Sequence, residues 1–144
     1  LQGFVASSPN LSLAVPTEPR WAGCLYADAA TRAWHSERWF PLFSWSSQAG
    51  GFFSGRFSPE VADNPDMARV YYSDGNWERL RRARELAAKT GSTPTQVALA
   101  WVLAQPFPTY PLIGPESVDE LRDSAAALDV QLTPGERAWL DLEG

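Results

Sequence analysis

Apolar and polar positions alternate in blocks along this chain, and the blocks change period. Gly3-Phe-Val-Ala-Ser-Ser8 is a short apolar run that stops at Pro9-Asn10, the pattern of a buried strand running into a loop. Residues 15–27 carry Pro16, Pro19 and Gly23 and predict an irregular excursion. Ala27 to Trp39 predicts a helix, with Asp28 near its start, and Pro41 to Trp45 a second strand. Residues 58–75 are rich in Pro, Asp and Asn, with room for a short helix around Met67–Tyr71. From Asn76 to Lys89 the apolar residues Trp77, Leu80, Ala83, Leu86 and Ala87 recur at helical spacing, and Gly91 ends the run. Thr93, Pro94 and Gln96 announce another helix by cap, first turn and capping box. Val97 to Leu103 give that helix a broad apolar face, and Pro106 and Pro108 close it. Thr109 to Ile113 predicts a third strand. Ser117 with Glu120 forms a second potential capping box, followed by a helix to about Leu128. Thr133-Pro-Gly-Glu136 opens a last short helix that reaches Leu140.

Strands alternating with helices predict an α/β fold in which parallel strands are joined by helical crossovers. Three strands, near residues 3–7, 41–45 and 109–113, suit a small open sheet or a slice of a barrel, and periodicity leaves both open. No internal repeat is evident. At 144 residues the chain is long enough to bury a core of its own, and 44% hydrophobic with 20% charged residues is a globular composition. A net charge of -5 without a basic patch argues against nucleic acid or an anionic membrane as partner. The cluster Arg79-Leu-Arg-Arg-Ala-Arg84 lies among Glu78, Glu85 and Lys89 and reads as a solvated helix face. Cys24 and His35 are single residues of their kind, which leaves no disulfide within the chain and no zinc ligand set. That cysteine usage fits a reducing cytoplasm. No apolar run reaches membrane-spanning length. The first residue is Leu1, so a fragment is one expectation.

Two segments carry the chemistry. After the third strand, Gly114 allows a tight turn or a close approach to a ligand, Pro115 stiffens the loop, and Ser117 caps the next helix. The free N–H groups of that helix start favour an anion such as phosphate. The same residues also serve an ordinary strand-to-helix connection. After the second strand comes Trp45-Ser-Ser-Gln-Ala-Gly-Gly-Phe-Phe-Ser-Gly-Arg-Phe57, a planar aromatic followed by small residues and a cation.

This second segment resembles the aromatic–Ser–Pro–Leu–Ala–x–Gly–x–x–x–Gly–Lys–Tyr segment of the aldo-keto reductases, with Ser47 and Gln48 in place of Pro and Leu. Those enzymes are (β/α)8 barrels that bind a nicotinamide cofactor. The resemblance implies that Trp45 stacks on the nicotinamide, that Ser46, Ser47 and Gly50 let the backbone wrap the pyrophosphate, and that Arg56 reaches the phosphates. Arg69 resembles an arginine that folds over the cofactor, and Ser8 stands where a Gln binds the carboxamide. The stretch from Leu112 to Leu128 resembles the end of the last barrel strand. There Gly114, Pro115, Glu116, Ser117, Glu120, Asp123 and Ser124 are implied to hold the adenosine end. Glu120 stands where Arg or Gln meets a 2′-phosphate, and Ser124 where Asn meets the adenine. A carboxylate repels a 2′-phosphate and accepts hydrogen bonds from a free 2′-hydroxyl, so NADP and NAD both stay open.

The whole implied picture is a domain over residues 1–144 that forms strands six to eight of a partial TIM barrel. It would be the cofactor-binding part of an NAD(P)H-dependent oxidoreductase acting on small aldehydes or ketones. A whole barrel needs about 250 residues. The N-terminal half would be its missing partner and would carry the family's Tyr, Lys, Asp and His, so no catalytic residue and no metal ligand is assigned here. The alternative is a non-catalytic α/β module that binds a nucleotide or a protein.

Overall fold

Each α-helix of this protein begins where a side chain can answer a free backbone N–H. The structure, a computed structural model, describes residues 3–143. Asp28 accepts from Thr31 N at 2.8 Å and starts α1 (Ala29–Arg38). Asn64 and Ser73 do the same for α2 (Pro65–Tyr71) and α3 (Asp74–Thr90). Thr93, Ser117 and Thr133 cap α4 (Pro94–Leu103), α5 (Val118–Ala126) and α6 (Pro134–Leu140). Both α4 and α6 have the full capping box, with Gln96 and Glu136 reaching back to the cap. Gly91 ends α3 in the left-handed region (φ 72°), where a Cβ would be strained. Short 3-10 turns span Ala49–Ser54 and Ala127–Asp129.

The sheet is smaller than its sequence pattern predicts. Strand β1 (Leu42–Ser44) pairs in parallel with β2 (Thr109–Pro111), Ser44 standing opposite Pro111. The predicted first strand at residues 3–7 shrinks to a single parallel bridge between Ser7 and Leu42. Two bonds hold it: Ser7 N donates to Pro41 O at 3.0 Å, and Phe43 N donates to Ser7 O at 2.9 Å. Pro9 follows and has no N–H for a ladder. The run was also expected to be buried, yet Phe4 is 95% exposed. The apolar weight falls instead on Leu11, Leu13 and Ala14, all sealed from solvent.

Leu42 and Ser44 point into the core, and Phe43 points the other way, where its ring stacks on Tyr110 at 4.9 Å. Helix α4 packs against α3, α5 and β2 and is buried from Val97 to Val102. The described residues hold no helix long and apolar enough to cross a membrane. Asn76, wholly buried, ties the excursion to the core: it accepts from Val15 N at 2.9 Å and donates to the carbonyls of Val15 and Tyr71 at 2.8 Å. His35 is also buried, with Nδ1 2.7 Å from Phe40 O and Nε2 3.0 Å from Ser7 Oγ.

The arginine cluster on α3 divides by helical phase. Arg81 stays outside with Glu78 and Glu85, as the charge pattern predicts. Arg79 and Arg82 turn inward instead. Arg79 meets Asp141, which Arg32 also engages at 2.6 Å, and Arg82 bonds Trp139 O. The Arg81 and Arg82 guanidiniums hold the Glu78 carboxyl down at about 2.

The caps carry a pH signature. Backbone hydrogen bonds, from Thr31 to Asp28 and from Thr133 to Glu136, lower both carboxyls below their ordinary range. A folded pKa below the unfolded one adds stability above about pH 4 that is lost as pH falls through the folded value. The urea midpoint should therefore drop between pH 7 and pH 3. Asp28→Asn with Glu136→Gln should flatten that drop; an equally steep profile in the double variant would count against the caps as its source.

Candidate functional site

The parallel pairing brings both ligand-type loops to one end of the sheet. Leu112 N donates to Ser44 O at 2.8 Å, one step beyond the paired strands. The buried Ser47 hydroxyl then donates to Leu112 O at 2.7 Å and joins one loop to the other. Between them lies a cavity of about 530 Å³. Of the residues singled out from sequence, Trp45, Ser46, Ser47, Gly50 and Arg56 line it from the β1 side. Gly114, Pro115, Glu116, Glu120, Asp123 and Ser124 line it from the β2 side.

The β1 loop is held in a high-energy backbone path. Ser46, Ala49, Gly50 and Gly51 all have positive φ, between 48° and 82°. For Ser46 and Ala49 that costs about 1–2 kcal/mol each. The run turns the chain sharply enough to pack Phe52 and Phe53 into the core and to leave Arg56 exposed beyond them. The Arg56 guanidinium bonds Ser54 Oγ at 3.1 Å and lies where a Cβ on Gly51 would be 2.8 Å away. Arg56 has no ion pair among the described residues and is the single cation lining the cavity.

On the other side stand three carboxylates. Glu120 does not complete the predicted capping box: its backbone N–H donates to Ser117 Oγ at 3.2 Å, but its carboxylate accepts from Glu116 N at 2.8 Å, one residue before the cap. Asp123 is braced by Gln96 Nε2 at 2.6 Å and by Thr93 Oγ1 at 3.3 Å. Ser124 accepts from Gln48 Nε2 at 3.0 Å, a second link across the cavity.

Ser117 and Arg69 are not brought to this cavity. Ser117 is spent on its cap. Arg69 braces the excursion, donating to Pro19 O and Arg20 O and pairing with Glu18 and Asp66. The sequence pattern missed Thr95, which lines the cavity from the first turn of α4. Nothing in its spacing marks it, because α4 arrives there through packing. Gly114 corrects an expectation as well: its φ is not in the left-handed region and a Cβ would meet nothing within 4 Å, so the chain's own turn does not require glycine there.

A second cavity of about 190 Å³ shares Trp45 as a wall and lies under the excursion. Trp21 reaches from the excursion onto Trp45, ring centroids 5.4 Å apart. Burial pushes the Tyr26 phenol up to about 12, and it raises Tyr71 against the opposing pull of Arg20.

Parallel strands with helical connections, and a polar cavity built from the loops after the strands, define an α/β protein with a strand-end cavity. The model of the aldo/keto reductase family matches residues 37–141. The chain belongs to that family. An uncharacterized oxidoreductase of Bacillus subtilis, YrpG, is 35% identical over 91 residues, which are 63% of this chain and 28% of that protein. Versiconal hemiacetal acetate reductase of Aspergillus parasiticus is 31% identical over 107 residues, 69% of this chain and 31% of that enzyme. The chain thus spans under a third of these relatives. The thermostable aldo-keto reductase Tm1743, solved with the inhibitor epalrestat, shares the fold with a TM-score of 0.61 at 20% identity, over 99% of this chain and 41% of that one.

The β1 loop supplies a direct test of its own geometry. Gly51 has φ 82° and faces Arg56, whereas Gly114 is free on both counts. Gly51→Ala should cost about 1 kcal/mol or more in thermal unfolding, and Gly114→Ala close to nothing. Equal losses would mean that the backbone of the β1 loop is not held as described.

Proposed function

We propose that the larger cavity binds a nicotinamide dinucleotide, and that this chain is the cofactor-binding sector of an NAD(P)H-dependent reductase of small carbonyl compounds. The observation that carries the reading is the cavity itself, shared by a Trp, an unpaired Arg and two loops at one sheet end. When bound, the cofactor supplies a hydride to the carbonyl carbon. Trp45 offers its indole face to the nicotinamide, where offset stacking and area burial combine. Arg56, free of carboxylate partners, meets the pyrophosphate by charge-assisted hydrogen bonds. Ser46, Ser47 and Gly50 shape the path beneath it. Gly114 and Pro115 leave room for close approach of the adenosine, with Glu116, Glu120, Asp123 and Ser124 around its ribose and base. Ser117 acts through the helix start it caps. Arg69 acts at a distance, by holding the excursion.

We assign this sector to strands six to eight of the barrel, within a single unit over residues 1–144 and in a reducing compartment such as the cytoplasm. The proton donor and the groups that tune it would come from the other strands of the barrel, and no catalytic residue is assigned to this chain. In support, the sheet face opposite the helices is apolar: Phe43 and Tyr110 stack there, 40% and 50% exposed. In a barrel that face turns to the interior. Alone it should self-associate. Sedimentation of the 144-residue chain should therefore reveal oligomers that Phe43→Lys with Tyr110→Lys diminishes; a monomer unaffected by those changes would argue against the barrel sector.

Cofactor binding is tested with NADH and NADPH in the intact polypeptide. Trp45→Ala should weaken both by roughly 1–3 kcal/mol. Glu120→Arg should shift preference toward NADPH, because a cation replaces a like charge beside the 2′-phosphate. Gly114→Ala, harmless to folding, should weaken both cofactors by crowding the adenosine. An NADPH/NADH ratio identical in the parent and in the Glu120 variant would confine that carboxylate to bracing Glu116. Absence of binding by either nucleotide would return the chain to the non-catalytic class.

A further inference from the structure

The smaller cavity holds an arginine that pairs with no carboxylate among the described residues. It is walled by Asn10, Pro16, Leu25, Tyr26, Tyr71 and Trp45, with Arg20 among them. Arg20 makes no ion pair among the described residues, and its Nη1 is sealed from solvent without a hydrogen-bond partner. That nitrogen packs beside Gly50, 3.2 Å from where a Cβ would stand. The guanidinium rests over the Trp21 ring at 5.3 Å, which steadies the cation but offers no lone pair to its N–H groups. The single carboxylate in the cavity, Glu18, is taken by Arg69 at 3.4 Å. Arg69 also grips the carbonyls of Pro19 and Arg20, so Arg20 is held at its backbone, and its guanidinium has the Tyr71 hydroxyl as a polar neighbour. A guanidinium met by a neutral hydroxyl still lacks a counter-charge, and a carboxylate supplies one through charge-assisted hydrogen bonds.

We propose that this cavity is an anion-reading site for single-ring carboxylates, with Arg20 as the recognising residue. At about 190 Å³ it suits one ring, since an apolar cavity of about 150 Å³ accommodates benzene. Its walls of Pro, Leu, Tyr and Trp take the ring, and Arg20 takes the carboxylate. Most of these residues, from Asn10 to Tyr26, lie before the segment that matches the family, which begins at residue 37.

The test uses benzoate as probe and benzyl alcohol as its neutral counterpart, followed by tryptophan fluorescence in the full chain. Benzoate should bind saturably. Arg20→Gln should weaken benzoate at least about tenfold and leave benzyl alcohol unchanged. Arg20→Lys, which keeps charge and loses the planar fork, should fall between them. Arg56→Gln should leave benzoate untouched. Circular dichroism of each variant checks its fold, and the Lys variant decides the matter if the Gln variant unfolds. Benzoate affinity equal in the parent and the Arg20 variants, absence of saturable benzoate binding, or loss of benzoate through Arg56→Gln would each overturn the proposal. NADH titration of the same proteins separates the two readings: benzoate bound without NADH sinks the dinucleotide site and leaves the anion site standing, and the reverse sinks only the anion site.

Discussion

One parallel pairing organises this molecule. Leu42–Ser44 lie beside Thr109–Pro111, and the bond from Leu112 N to Ser44 O extends the contact by one step. A parallel pair cannot be closed by a tight turn; it needs a long crossover, and here α2, α3 and α4 lie between the strands. The same geometry sends both strands out of the sheet at one end. Two loops far apart in sequence therefore face one cavity, and their polar residues become neighbours.

Packing supports that pairing from one side only. Helix α4 is apolar through Val97–Val102 because it is covered by β2, α3 and α5 together, and a helix so covered needs no polar face. The excursion before α1 has too few regular bonds of its own to hold a path. Asn10 and Asn76 tie it down: the Asn10 side chain donates to the Trp45 carbonyl while its backbone pairs with Leu25 O and Ala27 N, and the Asn76 side chain bonds Val15 and Tyr71. The buried Asn76 amide serves both segments because it offers donors and an acceptor at once. The opposite face of the sheet, with Phe43 and Tyr110, has no such cover among the described residues.

The cavity is stiff for the same reason that it is polar. Ser47, Gln48 and Asp123 each spend a side chain on a bond across or beside it, to Leu112, Ser124 and the α4 start respectively. Loops fixed in this way present their remaining groups without further ordering, which reduces what a ligand must offset on binding. The charges are also sorted, with Arg56 at one side and Glu116, Glu120 and Asp123 at the other. An elongated ligand with an anionic middle and a hydroxyl-rich end matches that order.

Sequence pattern alone determined where α1, α4, α5 and α6 begin and what class of fold the chain builds, whereas α2 and α3 start two residues earlier than their apolar pattern shows. Asp28, Thr93, Ser117 and Thr133 cap partners three residues ahead, so the information is local and survives without any tertiary context. The two loops were legible as well, because small residues after an apolar run leave a mark that spacing preserves. Most cavity residues followed from them. What tertiary structure decided were choices among distant partners. The run at 3–7 keeps one bridge because β1 and Pro9 set how far it can pair. Arg79 and Arg82 turn inward because Asp141 and the Trp139 carbonyl arrive there, while Arg81, two residues from the first and one from the second, stays in water. Glu120 bonds the amide of Glu116 rather than that of the cap, and Arg69 is captured by the excursion it faces. The place of Thr95 at the larger cavity and the smaller cavity under the excursion arise only through packing. A side chain's identity states which bonds it can make; which of them it makes depends on what the folded chain brings within about 3 Å.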